Sequence, residues 1–466
     1  MYGRIIVQGD SAINAGGITV LTTVTGVLTE GTIYSIVSAP SGTNGATVNV
    51  INNSPRYTFS GLPTTLGNVD IILTSIQPLQ NLVETPEAIV VAPILEEPAP
   101  IGSDLREIQD AIAGLTTKEE IDKSLAQLAP GNTNLAAPWV TIQTARQFDD
   151  LWMTQVEQIQ RLCCDDNCGP AMADKPLDLN ACIDAEQKGV WWTKAFGSQA
   201  EQGNLDKRNG YETDAYGLMI AYDTPLNSHT RVGLGGGYAR SSIDGNNSWG
   251  STDIDSYQVT GYMHHEPGPL FVQAAVTAGI NQYETARQIS IAGINRSAES
   301  DYSGQQYSGI VTLGTRYLVN ETIITPTVSM RASHVRVDGY KEDVAGALNL
   351  SIDKQKYNFV QSTVGIKAER IIRAGNHTYA PEVHANWLHD FKSTTMEQDA
   401  AFATGSSFNI QGIDQDRDLY NVGAGITFLS CNCEEESWTV KGLYDYKWNN
   451  SEYSSHQVSL LVGLKF

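Results

Sequence analysis

The chain has 466 residues with 42 Gly, 20 Tyr, only 18% charged residues and a formal net charge of −22. That acidity argues against nucleic acid or another polyanion as partner, because neutralising phosphates needs Lys and Arg; it favours solubility and repulsion between neighbours on a surface. The length allows about three domains, and no run of about 18 apolar residues provides a helical membrane span, whereas a membrane strand needs only alternation over about ten residues.

Residues 1–84 read as short strands. Ile18-Thr19-Val20, Tyr34-Ser35-Ile36-Val37, Val48-Asn49-Val50 and Val69-Asp70-Ile71-Ile72-Leu73 are separated by Gly, Asn, Pro and Ser turns. They fit the last coils of a parallel β-helix or a small β-sandwich, and pieces this short favour the β-helix. Residues 85–102 read as a linker, kept extended by Pro86, Pro93, Pro98 and Pro100 with Glu96 and Glu97. Two short helices follow within 103–135. Ser103 caps Asp104 to Ala113, Thr117 caps Lys118 to Leu128, and Gly114 and Pro130 close them.

Within 136–188, Val140, Phe148, Leu151, Trp152, Met153, Val156, Ile159 and Leu162 fall at helical spacing. The remainder is largely polar and includes Arg146, Asp149, Asp150, Glu157 and Arg161. Roughly 23 helical residues span about 35 Å, close to a bilayer core. Lipid would reject so many polar side chains, but the polar lumen of a β-barrel would accept them. Out of context the same pattern is an ordinary amphipathic surface helix.

Residues 189–466 supply the context, since they break into about twelve alternating segments. In the second, Tyr216, Leu218, Ile220 and Tyr222 share a face opposite Ala215, Gly217, Met219 and Ala221. In the third, Val232, Leu234 and Tyr238 oppose Gly233, Gly235, Gly237 and Ala239. The second face is small as well as polar, and glycine weakens a strand unless something must approach closely. A helix in the lumen would be that something. In the final segment Val458, Leu460, Val462, Leu464 and Phe466 alternate with Gln457, Ser459, Leu461, Gly463 and Lys465, the pattern of a strand with lipid on one side.

Connection lengths agree. Connections at about 199–211, 242–252, 284–300, 336–347 and 392–406 read as long loops, while those at 224–227, 266–269, 320–321 and 373–376 are tight turns. Short periplasmic turns and longer external loops are the habit of outer-membrane barrels. The fold expected is all-β: a 12-stranded antiparallel transmembrane β-barrel with a helix through its lumen, preceded by a short β-helix-like segment.

The stretch Val190-Trp191-Trp192-Thr193-Lys194-Ala195-Phe196-Gly197-Ser198 resembles the first barrel strand of autotransporters, the type V secretion family. So does the next strand, where Tyr211, Asp214 and Gly217 precede Tyr222-Asp223, and the third, ending Gly235-Gly236-Gly237-Tyr238-Ala239-Arg240-Ser241. The resemblance covers roughly 136–466 and, more weakly, 14–80. It implies an outer-membrane translocator in a Gram-negative bacterium, with a helix threading the lumen to an N-terminal passenger at the cell surface; residues 1–84 would then be a passenger remnant. It implies no enzyme in the barrel, no cofactor, and a monomer. The expected partners are outer-membrane lipid, periplasmic chaperones and the barrel-assembly machinery, which would read the terminal strand ending on Phe466; the passenger's own partner is unknown. Met1-Tyr2-Gly3-Arg4-Ile5-Ile6-Val7 has no proper apolar signal region, so the expectation is a truncated N-terminus, a mature or mis-started chain being the alternative.

Six cysteines, Cys163, Cys164, Cys168, Cys182, Cys431 and Cys433, depart from the family's usual poverty in cysteine. By the expected topology all six face the oxidising periplasm, which favours disulfides among them over a zinc site, the Cys-x-Cys spacing being awkward for zinc. Six cysteines allow about 15 pairings. Gly9-Asp10-Ser11-Ala12 is similar to the opening of an esterase family, but Ala follows the serine and too little chain precedes the barrel for such a domain. Asp149-Asp150 could be an acidic pair for passenger self-cleavage, or lumen charges paired with Arg or Lys of the wall; the second reading is preferred. His264-His265 lie on opposite faces of a strand end and do not make a metal pair.

The leading function is a translocator that helps export and display a passenger. An outer-membrane channel with a periplasmic N-terminal domain is the rival, with an empty lumen as its signature. A soluble all-β secreted binding protein is the third reading.

Overall fold

The computed structural model describes residues 5–6, 12–13, 17–39, 41–159, 189–246, 249–374, 377–392, 395–403, 406–430 and 437–465. Strands β1 (Ile5–Ile6), β2 (Ala12–Ile13) and β3 (Gly17–Thr22) pair in parallel with β4 (Ile33–Ser38), β5 (Ser41–Gly42) and β6 (Thr47–Asn52). The register pairs Gly17 with Thr47 through Thr22 with Asn52, so the chain returns to the same rung after one turn of a β-helix. Strands β7 (Tyr57–Gly61) and β8 (Val69–Ile76) then fold back antiparallel, β8 against both β4 and β7, and end the coil.

Three helices follow: α1 (Pro86–Val91), α2 (Asp104–Ala113) and α3 (Lys118–Ala126). Ser103 caps α2 by accepting from the Arg106 amide, and Thr117 with Glu120 forms a capping box on α3. The extended linker expected at 85–102 is therefore corrected over 86–91. Pro86 sits at the first helical position, where its missing N–H has no intrahelical partner to lose. The amides of Glu84 and Thr85 are held instead by Asp122 on α3, at 2.7 and 2.9 Å.

Helix α4 runs from Asn132 to Ile159, starting some residues before the expected onset. It passes through Pro138, which cannot donate to the carbonyl of Asn134. Gln398 donates to that carbonyl instead, at 3.2 Å.

The barrel strands are β9 (Val190–Gln202), β10 (Tyr211–Asn227), β11 (Thr230–Gly245), β12 (Gly250–His265), β13 (Leu270–Ile291) and β14 (Ile294–Thr315). After a short β15 (Tyr317–Val319) comes β16 (Thr322–Val337). An outer loop holds β17 (Tyr340–Lys341) and β18 (Leu350–Ile352), then β19 (Gln355–Arg370) crosses, followed by the short β20 (Ile372–Ala374) and by β21 (His377–Asp390). A second outer loop holds β22 (Glu397–Phe402) and β23 (Ser407–Gln411) before β24 (Asp418–Ser430), β25 (Ser437–Trp448) and β26 (Tyr453–Lys465). Twelve of these strands pair antiparallel in sequence, and β26 closes on β9 from Tyr453–Gln202 to Lys465–Val190. Closure removes the sheet edges, the condition for strands to lie in lipid.

The alternation is met face by face. Leu218, Ile220, Leu234, Val276, Ile426 and Leu460 are exposed on the outside, while Met219, Ala221, Thr277 and Thr427 are buried inside. Two expected loops are corrected. Residues 284–300 are the far end of a strand pair, β13 and β14 being 22 residues each, joined at Ala292-Gly293 with φ of +47° and +91°. Such strands reach well past a hydrocarbon core of about 30 Å. The connection at 242–252 likewise shrinks to 246–249 between β11 and β12.

The barrel lumen as candidate functional site

Helix α4 lies inside the barrel against β10 to β13 and β16. Its fit to the wall is set by glycines. A Cβ on Gly235 would stand 2.4 Å from the Trp152 ring, and one on Gly237 would stand 2.5 Å from Phe148. The missing side chains on β11 are the space the helix occupies.

At the outer end an apolar collar closes round the helix. Trp139, Val140 and Ile142 meet Ile243, Ile254, Val335, Val337 and Phe359. Thr141 reaches the Tyr283 hydroxyl at 3.0 Å, and Tyr283, Tyr302 and Tyr340 stack in a column. Further in, Phe148 meets Phe196 edge-on at 5.3 Å and Trp152 meets Trp192 at 4.9 Å and Tyr262 at 5.2 Å between ring centres. Behind these rings Asp223 accepts from Trp192 at 3.1 Å and Tyr262 at 3.3 Å, and pairs with Arg231.

The described charges of the helix, Arg146, Asp149 and Asp150, each pair with the wall. Arg146 pairs with Asp390 at 2.8 Å and lies over the Trp139 and Phe359 rings. Asp149 and Asp150 share one cation, Arg331 of β16, at 3.2 and 2.7 Å. Asp149 also accepts from Thr277 and Ser308, each at 3.3 Å, and Asp150 lies 3.5 Å from Lys447. Beside this part of the helix a cavity of about 170 Å³ remains, lined by Asp150, Arg331, Lys367, His384, Asp445 and Lys447 among others. Lys441 and Glu382 pair at 2.8 Å close by, both fully buried.

Glu157 is on the helix, and its side chain lies outside the described residues; so do Arg161, the six cysteines Cys163, Cys164, Cys168, Cys182, Cys431 and Cys433, the Gly9-Asp10-Ser11 stretch and Phe466. Of the terminal strand, Val458, Leu460 and Leu464 are exposed outward and Val462 is partly exposed. His264 is buried against Phe271 and bonds Glu266 at 3.1 Å, while His265 bonds Thr230 on the other face. The wall cations expected opposite Asp149 and Asp150 are Arg331 and Lys447, whereas Asp390, Asp223 and Arg231 are wall charges that the sequence alone does not single out. Each is a charge at an inward position of an alternating strand, the signal that would have found them.

The family profile described as "Autotransporter beta-domain" matches residues 191–430. The chain belongs to the autotransporter family. As an autotransporter it is 24% identical over its whole length to Outer membrane protein A of Rickettsia rickettsii, of which it covers 22%. It is also 24% identical over 52% of its length to an extracellular serine protease of Serratia marcescens, covering 23% of that protein. The translocator domain of the autotransporter NalP from Neisseria meningitidis superposes on 70% of this chain and 98% of that domain, with TM-score 0.50 at 13% identity. The chain thus spans under a quarter of these two curated relatives. It is an outer-membrane translocator barrel of a Gram-negative bacterium, serving the export of an N-terminal passenger.

Proposed function

We propose that this autotransporter barrel, having exported its passenger, keeps it as an attached surface structure. The observation that carries this is the continuous run of described residues, 41–159, that joins the β-helix to the helix inside the lumen. Helix α4 is fastened in the lumen through Arg146, Asp149 and Asp150, and its outer end leads through α3, α2 and α1 to the coil at 17–76. The channel reading requires an open lumen, which this helix occupies.

The same reading assigns lipid to the outward faces, a monomeric barrel, and periplasmic chaperones and barrel-assembly machinery that engage the terminal strand Val458–Leu464. It gives the chain no reaction of its own; the protease named for the Serratia relative extends far beyond the matched region. Disulfides among the six cysteines remain part of the proposal, with a reductant-dependent shift in gel mobility as their sign.

The test is protease treatment of intact cells expressing the chain with an epitope tag at residue 1. Digestion of the tag, with the barrel surviving and little passenger in the medium, is the expected result. A tag protected until the outer membrane is permeabilised would place the N-terminal region in the periplasm and return the channel reading.

A further inference from the structure

Between the β-helix and the barrel sits a folded body that anchoring alone does not require. Its core is drawn from both sides: Ile108, Ile112 and Leu125 of the helices pack with Ile291 of the long β13–β14 hairpin and with Leu350 and Phe402 of the outer loops. Neither set is a core by itself. Helices of six to ten residues are marginal in water alone, and a strand pair with one apolar face needs something to cover it.

Two arginines of the hairpin pin the halves together. Arg287, fully buried, makes a two-bond pair with Glu342 of the first outer loop at 2.5 and 3.0 Å. It also donates to the Gln127 carbonyl at the end of α3 at 2.8 Å and to the Leu348 carbonyl at 2.9 Å. Arg296 makes a second two-bond pair, with Asp104 at the start of α2, at 2.5 and 2.9 Å. On the far side α2 holds the coil, where Asp110 accepts from the Val27 amide at 2.8 Å and Arg106 donates to the Val27 carbonyl at 3.0 Å.

The lumen shows why a closure at this end matters. Among the described residues, the 170 Å³ cavity lies around Asp150 and Met153 against the β16 to β25 wall. Toward the outside the packing runs on through the Trp139 collar to the helical body above it.

We propose that α1–α3 and the outer loops of the barrel form a latch that assembles only when residues 79–129 have left the lumen, closing its outer mouth and blocking the passenger's return. The latch rests on the reading that this segment lies outside the cell. Its partner is the barrel's own hairpin and loops: before export, the apolar faces of both halves are uncovered, and docking covers them together.

Two sets of variants test it in the full-length chain, in planar bilayers and on intact cells. Ile108→Asp with Leu125→Asp removes the shared core from the helix side and leaves the barrel sequence untouched. Arg296→Glu breaks the Asp104 pair, and Asp104→Arg with Arg296→Glu restores it with charges reversed. The barrel's heat-modifiable gel shift serves as the folding control for each. The expected result is a small, steady conductance for wild type and the restored pair. The two latch-breaking variants should show a several-fold larger, fluctuating conductance and new cleavage by external protease within 79–131. Latch-breaking variants that are cleaved there yet conduct as wild type would show that the collar seals alone and overturn the latch. Latch-breaking variants that stay uncleaved there and conduct as wild type would also overturn it. A residue 1 tag inaccessible even in wild type would refute the underlying topology instead.

Discussion

The two ends of the lumen mix apolar packing and paired charge in different proportions. The outer end is closed by apolar packing, with a few charges fully buried and paired, such as Arg287 with Glu342. The inner half sets an aromatic cluster round Phe148 and Trp152 beside a wall of ion pairs, most of them buried, with Asp150 43% exposed beside Arg331 and a cavity next to it. Apolar contact excludes water and seals. Paired charge holds a helix in register while leaving part of the wall open to water. The contrast teaches that a water-free seal needs continuous apolar packing, whereas a helix can be held in register by paired charge beside a cavity.

The largest effect expected from breaking this contrast is at the outer end. Arg287→Ala strands the Glu342 carboxylate in the interior, and removing one partner of a buried pair costs about 3–5 kcal/mol. The chaotrope concentration at which residues 79–131 become protease-sensitive should fall sharply. Arg331→Ala at the inner half should cost less, about 1–3 kcal/mol, because Asp149 keeps Thr277 and Ser308 and the half-exposed Asp150 keeps Lys447. An equal loss in the two variants would erase the distinction.

Next comes the fit of the helix to its wall. Gly237→Leu drives a side chain into the space of Phe148, with an overpacking cost of about 1–3 kcal/mol. The helix should be displaced while the barrel persists, seen as faster amide exchange in 144–153 without loss of the barrel's gel shift. Thr117→Ala removes one half of the capping box on α3 and should lower the stability of the outer body by about 1 kcal/mol, leaving the lumen untouched.

The smallest effect is a pH dependence confined to the outer body. Burial raises the Glu87 carboxyl above its ordinary value of 4.5, with Asp122 adding to the rise and Arg208 and a backbone bond opposing it. The folded form therefore favours the protonated acid. Its stabilising contribution is complete below about 4.5 and is lost as pH rises through the raised value. Protease resistance of residues 79–131 should increase on acidification across that window. Glu87→Gln should be more resistant at neutral pH and flat through the window; an unchanged profile in that variant would assign the effect elsewhere.

Much of the barrel was legible in the sequence because lipid imposes a simple rule. Every second residue from Tyr216 to Tyr222, or from Val458 to Leu464, faces the same solvent, so alternation survives without knowledge of neighbours. The glycines at 235 and 237 carried the further hint that something lies close inside. The caps of α2 and α3 were legible for an equally local reason, a side-chain oxygen three residues before an amide. The outer body was not, since its core joins residues about 200 positions apart and its pins, Arg287 and Arg296, fall in a stretch that looked like an ordinary polar loop. Pro86 misled because proline breaks a helix everywhere but at its start. The charges of the lumen helix could be placed inside the barrel, but their partners depend on strand register, which alternation leaves open.

The most direct test of the central claim is amide hydrogen exchange of the full chain in detergent or lipid, read across residues 132–153. A helix fastened in the lumen by the collar, the glycine-lined wall and the Arg146, Asp149 and Asp150 pairs should exchange as slowly as the barrel strands. Exchange at the rate of an exposed amphipathic helix, with the strands still protected, would contradict a filled lumen and the translocator geometry built on it.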